Sequence, residues 1–415
     1  MPTFFLAIHN DDSGAIWRMR LPEQQGNRPN SRATGPNAER SMDFQLTDEQ
    51  LLIGETFRRF LAERYDVARR RQYLAEPEGY SRANWKDMAD LGLIGLPFPK
   101  DMGGHDGNAV DMMIIMEEIG FHAAVEPFAA NAIVGAQVLA SARDAAAAAG
   151  TAADIIAGTK RLSYALFEQD GRYDPLRIQT LARADDDGFL LTGAKRLVPY
   201  PRSDLFLVSA VTTPHAGKDD IALFLVPANL PGLSINAYRT IDGLAAGDLY
   251  FNTVRLPPGA QLVGAEHSRA IIEELAGTMA FAHAAEAVGL LRRLFETTRE
   301  YLKTRVQFGR PLAAKQVVRH RLAEMYMHCE LARSAVISVA VREPGSPDWR
   351  RSVAAARITV STAGDFIGKQ AVQLHGGMGV SDEYEVSHYY KRLLVLNALF
   401  GDARKHAGEL ARMTA

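Results

Sequence analysis

Apolar residues recur along this chain in two rhythms, helical at both ends and alternating in the middle. Leu51, Leu52, Phe57, Phe60 and Leu61 fall at helical intervals. Just before them, Thr47-Asp48-Glu49-Gln50 has the spacing of a capping box, in which a hydroxyl and an amide side chain each satisfy a free backbone N–H. A helix is therefore predicted to start near Thr47. Residues 81–91, 110–119 and 128–140 carry the same period between Gly- and Pro-containing turns such as 97–107, and the alanine run 145–149 opens a short helix ending at Gly158. From Arg161 to about Pro257 the period falls to two. Short runs at 162–167, 178–184, 189–192, 205–211, 221–226, 233–238 and 249–256 read as strands of a β-barrel or sandwich. From Glu266 onward the helical period returns over 271–303, 315–342, 346–373 and 383–413, four long helices with short connections that predict an antiparallel bundle.

Helices, then strands, then a bundle is an α+β order, segregated rather than alternating as in a Rossmann fold. The expected domains are 43–158 (α-helical), 159–260 (β) and 261–415 (four-helix bundle). Residues 1–41 stand apart: the apolar run at 4–8 is too short for a signal-peptide core, and 26–41 is rich in Asn, Pro, Arg and Gly without periodicity. The expectation is a disordered tail or a start site placed too early, with translation beginning at Met42.

The length of 415 residues calls for about three cores. A net charge of -2 leaves no electrostatic footprint for non-specific nucleic-acid binding. No apolar run approaches the roughly 18 residues of a membrane helix, and the single cysteine, Cys329, excludes an internal disulfide and fits a reducing, cytoplasmic setting with the thiol filling core space. The glycine-rich strings 103–107 and 375–379 do not follow a predicted strand and open a helix, so neither is a dinucleotide fingerprint by itself. Glu324 with His328, and His283 with Glu286, share helix faces, but the paired Glu-x-x-His set of a di-iron bundle is missing and no metal is expected. A nucleophile elbow is also absent.

More informative is the junction Tyr301-Leu302-Lys303-Thr304-Arg305-Val306-Gln307-Phe308-Gly309-Arg310-Pro311-Leu312, which sets a guanidinium able to grip a phosphate beside an aromatic ring able to pack on a planar group. Here the sequence resembles the acyl-CoA dehydrogenase family of flavoproteins. The resemblance runs from about Met42 to the C-terminus, through Leu46 to Gln50, Trp85, 91–95, Gly103-Gly104 and Glu117 or Glu118 before Ile119-Gly120. It continues through Glu168, Asp174, Thr180 and Ala182 in the spacing of the family's flavin loop, Gly193-x-Lys195, and Gln373-Leu374-His375-Gly376-Gly377-Met378-Gly379 with Glu383-Tyr384. It implies the α, β, α plan and a reaction in which FAD takes a hydride from the β-carbon of an acyl-CoA while a glutamate removes the α-proton.

Departures from the family pattern carry their own expectation. The two family positions for the base fall on Phe400 and Met279, neither of which can take a proton, and the Arg that often follows the latter is Ala280. Phe167, Arg172-Tyr173 and Leu197-Val198-Pro199 replace flavin-facing residues of the family, and Pro199 has no amide to give. Arg305, Gln307, Phe308, Gln373, Gly376 and Gly377 are kept, and the resemblance assigns them to the pyrophosphate and adenosine of a neighbouring subunit's FAD. Three readings follow. One is a non-base-bearing small subunit of a heteromeric dehydrogenase, dimer or tetramer, working with a base-bearing sister chain, an acyl-CoA substrate and electron-transfer flavoprotein or a similar acceptor. The stretches 81–85, 171–174 and 389–402 resemble small subunits acting on dicarboxylyl-CoA. The second is a self-sufficient flavoenzyme with Asp402 or Glu286 as base, and the third a structural subunit with no role at FAD.

Overall fold

The structure is a computed structural model that describes residues 45–213 and 220–414. The expected tail at 1–41, and residue 43 where the first domain is expected to begin, lie outside the described residues. Residues 46–415 form one compact unit.

Thr47 caps the first helix as its spacing predicts: its hydroxyl accepts from the Gln50 amide at 3.2 Å, and Gln50 Oε1 accepts from the Thr47 N–H at 3.1 Å. Helix α1 (Asp48–Arg64) is followed by α2 (Val67–Ala75), which the apolar period passes over for a physical reason. Its one buried residue is Arg70, so it shows no hydrophobic stripe. Helices α3 (Arg82–Asp90), α4 (Ala109–His122), α5 (Val134–Leu139) and α6 (Ala145–Ile156) complete the N-terminal layer, with a π turn over Ala129–Ile133 leading into α5.

The middle strands are β1 (Leu162–Ala165), β2 (Leu181–Asp185), β3 (Gly188–Pro199), β4 (Leu205–Thr213), β5 (Asp220–Pro227), β6 (Leu233–Arg239), β7 (Ala245–Leu256) and β8 (Gln261–Val263). They hydrogen-bond in the order β6-β7-β3-β2-β4-β5-β8, with β1 parallel to β4. Strands β2 and β4 meet only at Leu181 and Val211, and the two halves of the sheet share a core that includes Leu191, Val198, Phe206, Phe224, Leu249 and Phe251. Strand β3 runs well past the predicted 189–192 because register shifts at Leu191/Gly193 and Lys195/Val198 break the alternation that marks a strand in sequence. Strand β2 starts later than predicted.

The bundle is α7 (Ala265–Thr304), α8 (Gln316–Ala340), α9 (Pro347–His375), α10 (Glu385–Ala398) and α11 (Ala403–Thr414), with the hairpin β9 (Val306–Gln307) and β10 (Arg310–Pro311) between α7 and α8. The single helix expected over 383–413 is thus two helices. Phe400 (φ 57°) and Gly401 (φ 109°) adopt positive backbone angles that cannot continue a helix. The buried Arg357 holds this break by donating from one guanidinium nitrogen to the carbonyls of Leu396, Leu399 and Gly401 at 2.8, 3.0 and 3.0 Å. Helix α7 crosses α4 at Gly120 and Gly289, where a Cβ on either would overlap the carbonyl of Glu286 or Glu117. That close crossing fixes where α7 carries Met279, His283 and Glu286.

Candidate functional site

Three regions carry the residues singled out by sequence. In the first, Glu168 and Lys195 form a buried pair: Lys195 Nζ donates to Glu168 Oε1 at 2.7 Å and to Ser209 Oγ at 3.0 Å. Glu168 also accepts from the amides of Gln179 and Thr180 and from the Thr180 hydroxyl. Burial pulls the Lys195 pKa down to about 8 against the pull of Glu168, while Lys195 and the hydrogen bonds overcome burial to hold Glu168 below the usual carboxylate range. These motif residues therefore pin the 168–180 loop. The same bonds hold residues 179 and 180 out of β2.

Beside this loop lies a cleft of about 1190 Å³ between the sheet, with Phe167, Arg196, Leu197 and Tyr238, and the α10–α11 turn, with Phe400, Asp402 and Lys405. Its sheet wall offers a flat ligand few donors. Asp248 accepts from the Leu197 amide at 3.2 Å and from Arg196 Nη1 at 2.7 Å, the same Arg196 nitrogen donates to Tyr250, and Pro199 has no N–H. The residues present do not fit a hydrogen-bonded isoalloxazine in this chain.

The second region surrounds Phe400 and Met279, the two positions where the resemblance expects a base. The Phe400 ring packs against Phe167 at 5.0 Å, Tyr164 at 5.5 Å and His283 at 5.6 Å between centroids, and Met279 is fully buried. Asp402 caps α11, accepting the Lys405 amide at 2.8 Å. Glu286 is tied to Arg392, which donates from Nε at 2.6 Å and from Nη2 at 2.9 Å, while Nη1 donates to Asp242 at 2.9 Å. Met279, Glu286 and Arg392 border a space of about 70 Å³, also lined by Tyr164, Tyr200, His283 and Glu126. Glu126 is buried, accepts from the Tyr65 hydroxyl and from Asn84 at 3.1 Å, and has its carboxyl pushed up by burial.

Burial, reinforced by Arg392 and Arg357, holds His283 well below its ordinary pKa. Because the unfolded imidazole takes up a proton first, His283 contributes stability that is full above about pH 6.5 and is lost as pH falls below it. Urea titrations of His283→Gln should show a pH slope shallower than that of the unmodified chain by about 1.4 kcal/mol per unit below pH 6. Equal slopes would count against a buried neutral imidazole.

In the third region, Phe308 (φ 56°) and Gly309 (φ 76°) form the two-residue turn of the β9–β10 hairpin, both in the left-handed region that such a turn requires. Tyr301 near the end of α7 stacks on His375 at 4.3 Å, which brings the hairpin side of the bundle to the turn at Gly376 and Gly377. The Phe308 ring is 87% exposed, with Lys315 Nζ 4.0 Å from its centre. Arg305, Gln307 and Gln373 are exposed and none of their side chains meets a partner among the described residues. A Cβ on Gly376 or Gly377 would meet nothing within 4 Å, and Gly376 has φ 62°. The six retained residues thus lie on the surface at two adjoining turns. A free guanidinium, two free amides, an exposed ring and open backbone suit the pyrophosphate and adenosine of a dinucleotide approaching from outside the chain.

Of the paired metal candidates, His328 lies 4.5 Å from the Phe366 ring and Glu286 is committed to Arg392. Among the described residues no three His, Cys, Asp or Glu side chains gather into a metal-binding group, and no helix is long and apolar enough to cross a membrane. Cys329 is buried, which pushes its thiol up to about 12. Sequence reasoning missed Arg392, Asp242, Arg70 and Arg357. A usable signal was present, since Glu286 interrupts an Ala- and Val-rich run and Arg392 precedes Leu393-Leu394, and charges on buried faces must be paired.

Family models for the acyl-CoA dehydrogenase N-terminal, middle and C-terminal domains match residues 47–152, 163–254 and 269–413. A probable acyl-CoA dehydrogenase, YngJ of Bacillus subtilis (strain 168), is 28% identical over 356 residues, covering 83% of this chain and 92% of the relative. Among solved structures, the ChsE4-ChsE5 complex from Mycobacterium tuberculosis superposes with a TM-score of 0.81 at 24% identity, over 89% of this chain and 98% of that one. A Tcur3481-Tcur3483 steroid ACAD gives 0.78 at 27%, over 88% and 98%. With three domain models matched in order on an α, β, α fold, the chain belongs to the acyl-CoA dehydrogenase family of oxidoreductases.

Proposed function

We propose that this chain is the non-base-bearing subunit of a heteromeric FAD-dependent acyl-CoA dehydrogenase, acting with a sister chain that carries the base. The observation that carries this reading is a contrast. Phe400 and Met279 stand buried where a base is needed, while Arg305, Gln307, Phe308, Gln373, Gly376 and Gly377 are exposed and uncommitted. FAD supplies the hydride acceptor that turns an acyl-CoA into a trans-2-enoyl-CoA. Arg305 would neutralise the pyrophosphate of the sister's cofactor, Gln307 and Gln373 would hydrogen-bond it, Phe308 would pack on the adenine, and the two glycines would let backbone approach. The Tcur3481-Tcur3483 steroid ACAD, itself named as a pair, supports a two-chain assembly.

The stretches 81–85, 171–174 and 389–402 resemble the small subunit of bacterial pimeloyl-CoA dehydrogenase, which points to a dicarboxylyl-CoA such as pimeloyl-CoA. Electrons would leave through electron-transfer flavoprotein or a similar acceptor. A dimer or tetramer in the cytoplasm completes the proposal.

Co-expression with a base-bearing acyl-CoA dehydrogenase chain from the same genome, with flavin counted per subunit, tests it. Arg305→Ala should weaken FAD retention by the co-purified complex by about 10- to 100-fold, the worth of one charge-assisted phosphate contact. Unchanged retention would favour a subunit with no role at FAD. A chain that, purified alone, is yellow, homo-oligomeric and reduces an acceptor with an acyl-CoA would overturn the heteromer.

A further inference from the structure

We infer that the acyl chamber of this chain is closed by the Glu286–Arg392–Asp242 ion cluster, so that the acyl group of the substrate lodges in the sister subunit and not here. The inference rests on the subunit reading for the identity of the reaction. Its physical basis is separate.

A base must reach the α-proton, so the acyl chain of a bound thioester has to run past the base positions. Met279 borders a space that Leu399 also lines, between α4, the 124–130 connection, the end of β3, α7 and α10, whereas Phe400 lines the cleft of about 1190 Å³ with its ring packed on Tyr164 and His283, two walls of the smaller space. That space is about 70 Å³. It holds roughly two waters, whereas small-molecule sites begin near 300 Å³.

Glu286 and Arg392 wall it with charge locked in place. All three guanidinium nitrogens of Arg392 donate to Glu286 or Asp242, whose side chains are 4% and 0% exposed. Arg70, also buried, braces the cluster from behind, donating to the Asp242 carbonyl at 3.2 Å and to the Ala123 carbonyl at 3.0 Å, with His388 Nδ1 3.3 Å from its Nη1. An alkyl tail entering here would have to separate a two-point ion pair that is buried away from bulk solvent. An ω-carboxylate would fare no better: every guanidinium nitrogen of Arg392 is already bonded to a carboxylate, so a newcomer would have to displace one of them.

The test is the chain-length dependence of affinity, measured calorimetrically on the full-length chain with CoA, butyryl-CoA, octanoyl-CoA and pimeloyl-CoA. An open chamber tightens binding roughly fourfold per buried methylene, about 200-fold from butyryl to octanoyl. The expected result is affinities within about threefold of CoA for all of them, including no detectable binding throughout. Octanoyl- or pimeloyl-CoA binding more than tenfold tighter than CoA overturns the closure. The charge-balanced variant E286A/R392A should acquire the chain-length dependence. If it folds, by its circular dichroism and melting curve, and stays flat, the ion cluster is not what closes the chamber. Should it fail to fold, the comparison on the unmodified chain decides alone. The assay needs neither flavin nor partner, so a steep slope ends the closure without touching the heteromer, and an active homo-oligomer ends the heteromer.

Discussion

Arg392→Leu should destabilise the folded chain by about 3–5 kcal/mol, against a total stability on the order of 5–15 kcal/mol for an ordinary domain. The leucine fills much of the lost volume, so the cost is electrostatic: Glu286 and Asp242 remain buried and lose the guanidinium that bonds both. Burial without a counter-charge penalises a charged carboxylate and not a neutral carboxyl, so the deficit should be larger at pH 7.5 than at pH 5. Removing both charges in Glu286→Leu/Arg392→Leu should return most of the loss, because Asp242 keeps the favourable field of Arg70. Urea melts of the parent, the two single variants Arg392→Leu and Glu286→Leu, and the double variant at both pH values give the double-mutant cycle. A single variant within 1 kcal/mol of the parent at pH 7.5 would mean that the cluster is hydrated and loosely held, and would weaken the case for a closed chamber.

Lys195→Met is expected to cost about 3 kcal/mol and, unlike the first change, to show its effect locally. Lys195 is fully buried and its ammonium is bonded to Glu168 and Ser209. Without it Glu168 keeps only the Gln179 and Thr180 amides and the Thr180 hydroxyl, which are not enough to hold a desolvated carboxylate. The 168–180 loop that borders the large cleft should then open more often, and hydrogen exchange at the Gln179 and Thr180 amides should accelerate by at least tenfold. Exchange unchanged at those amides, with global stability lowered, would place the role of Lys195 in the sheet core instead of the loop. Because the loop carries Arg172 and Tyr173 toward the cleft, the outcome also says whether a motif that matches the flavin loop survives here as a brace.

How much of this was legible beforehand differs between fold and site. The capping box at Thr47 and Gln50 forms because both partners lie within one turn, and the α, β, α order follows from a period that depends only on near neighbours. Three expectations missed for identifiable reasons. Helix α2 buries an arginine instead of an apolar stripe. Strand β3 contains two register shifts that scramble its alternation. The last bundle helix breaks at Phe400 because Arg357, 43 positions away in sequence, takes up the carbonyls that a continuous helix would have used. For the site, the absence of a proton acceptor at positions 279 and 400 could be read directly, as could the retained Arg305 set.

What sequence alone determined is therefore the family plan, the Phe and Met at positions 400 and 279, and the Arg305, Gln307, Phe308, Gln373, Gly376 and Gly377 set, all properties of residue identity at recognisable spacing. Only the tertiary structure decided which charges are buried together near Met279. Glu286 and Asp242 are brought to Arg392 from different elements, a helix and a strand connection, and Arg70 reaches them from a fourth part of the chain. No local pattern encodes such a meeting, because a buried charge is tolerated only where distant segments supply its counter-charges, and which segments meet is settled by packing.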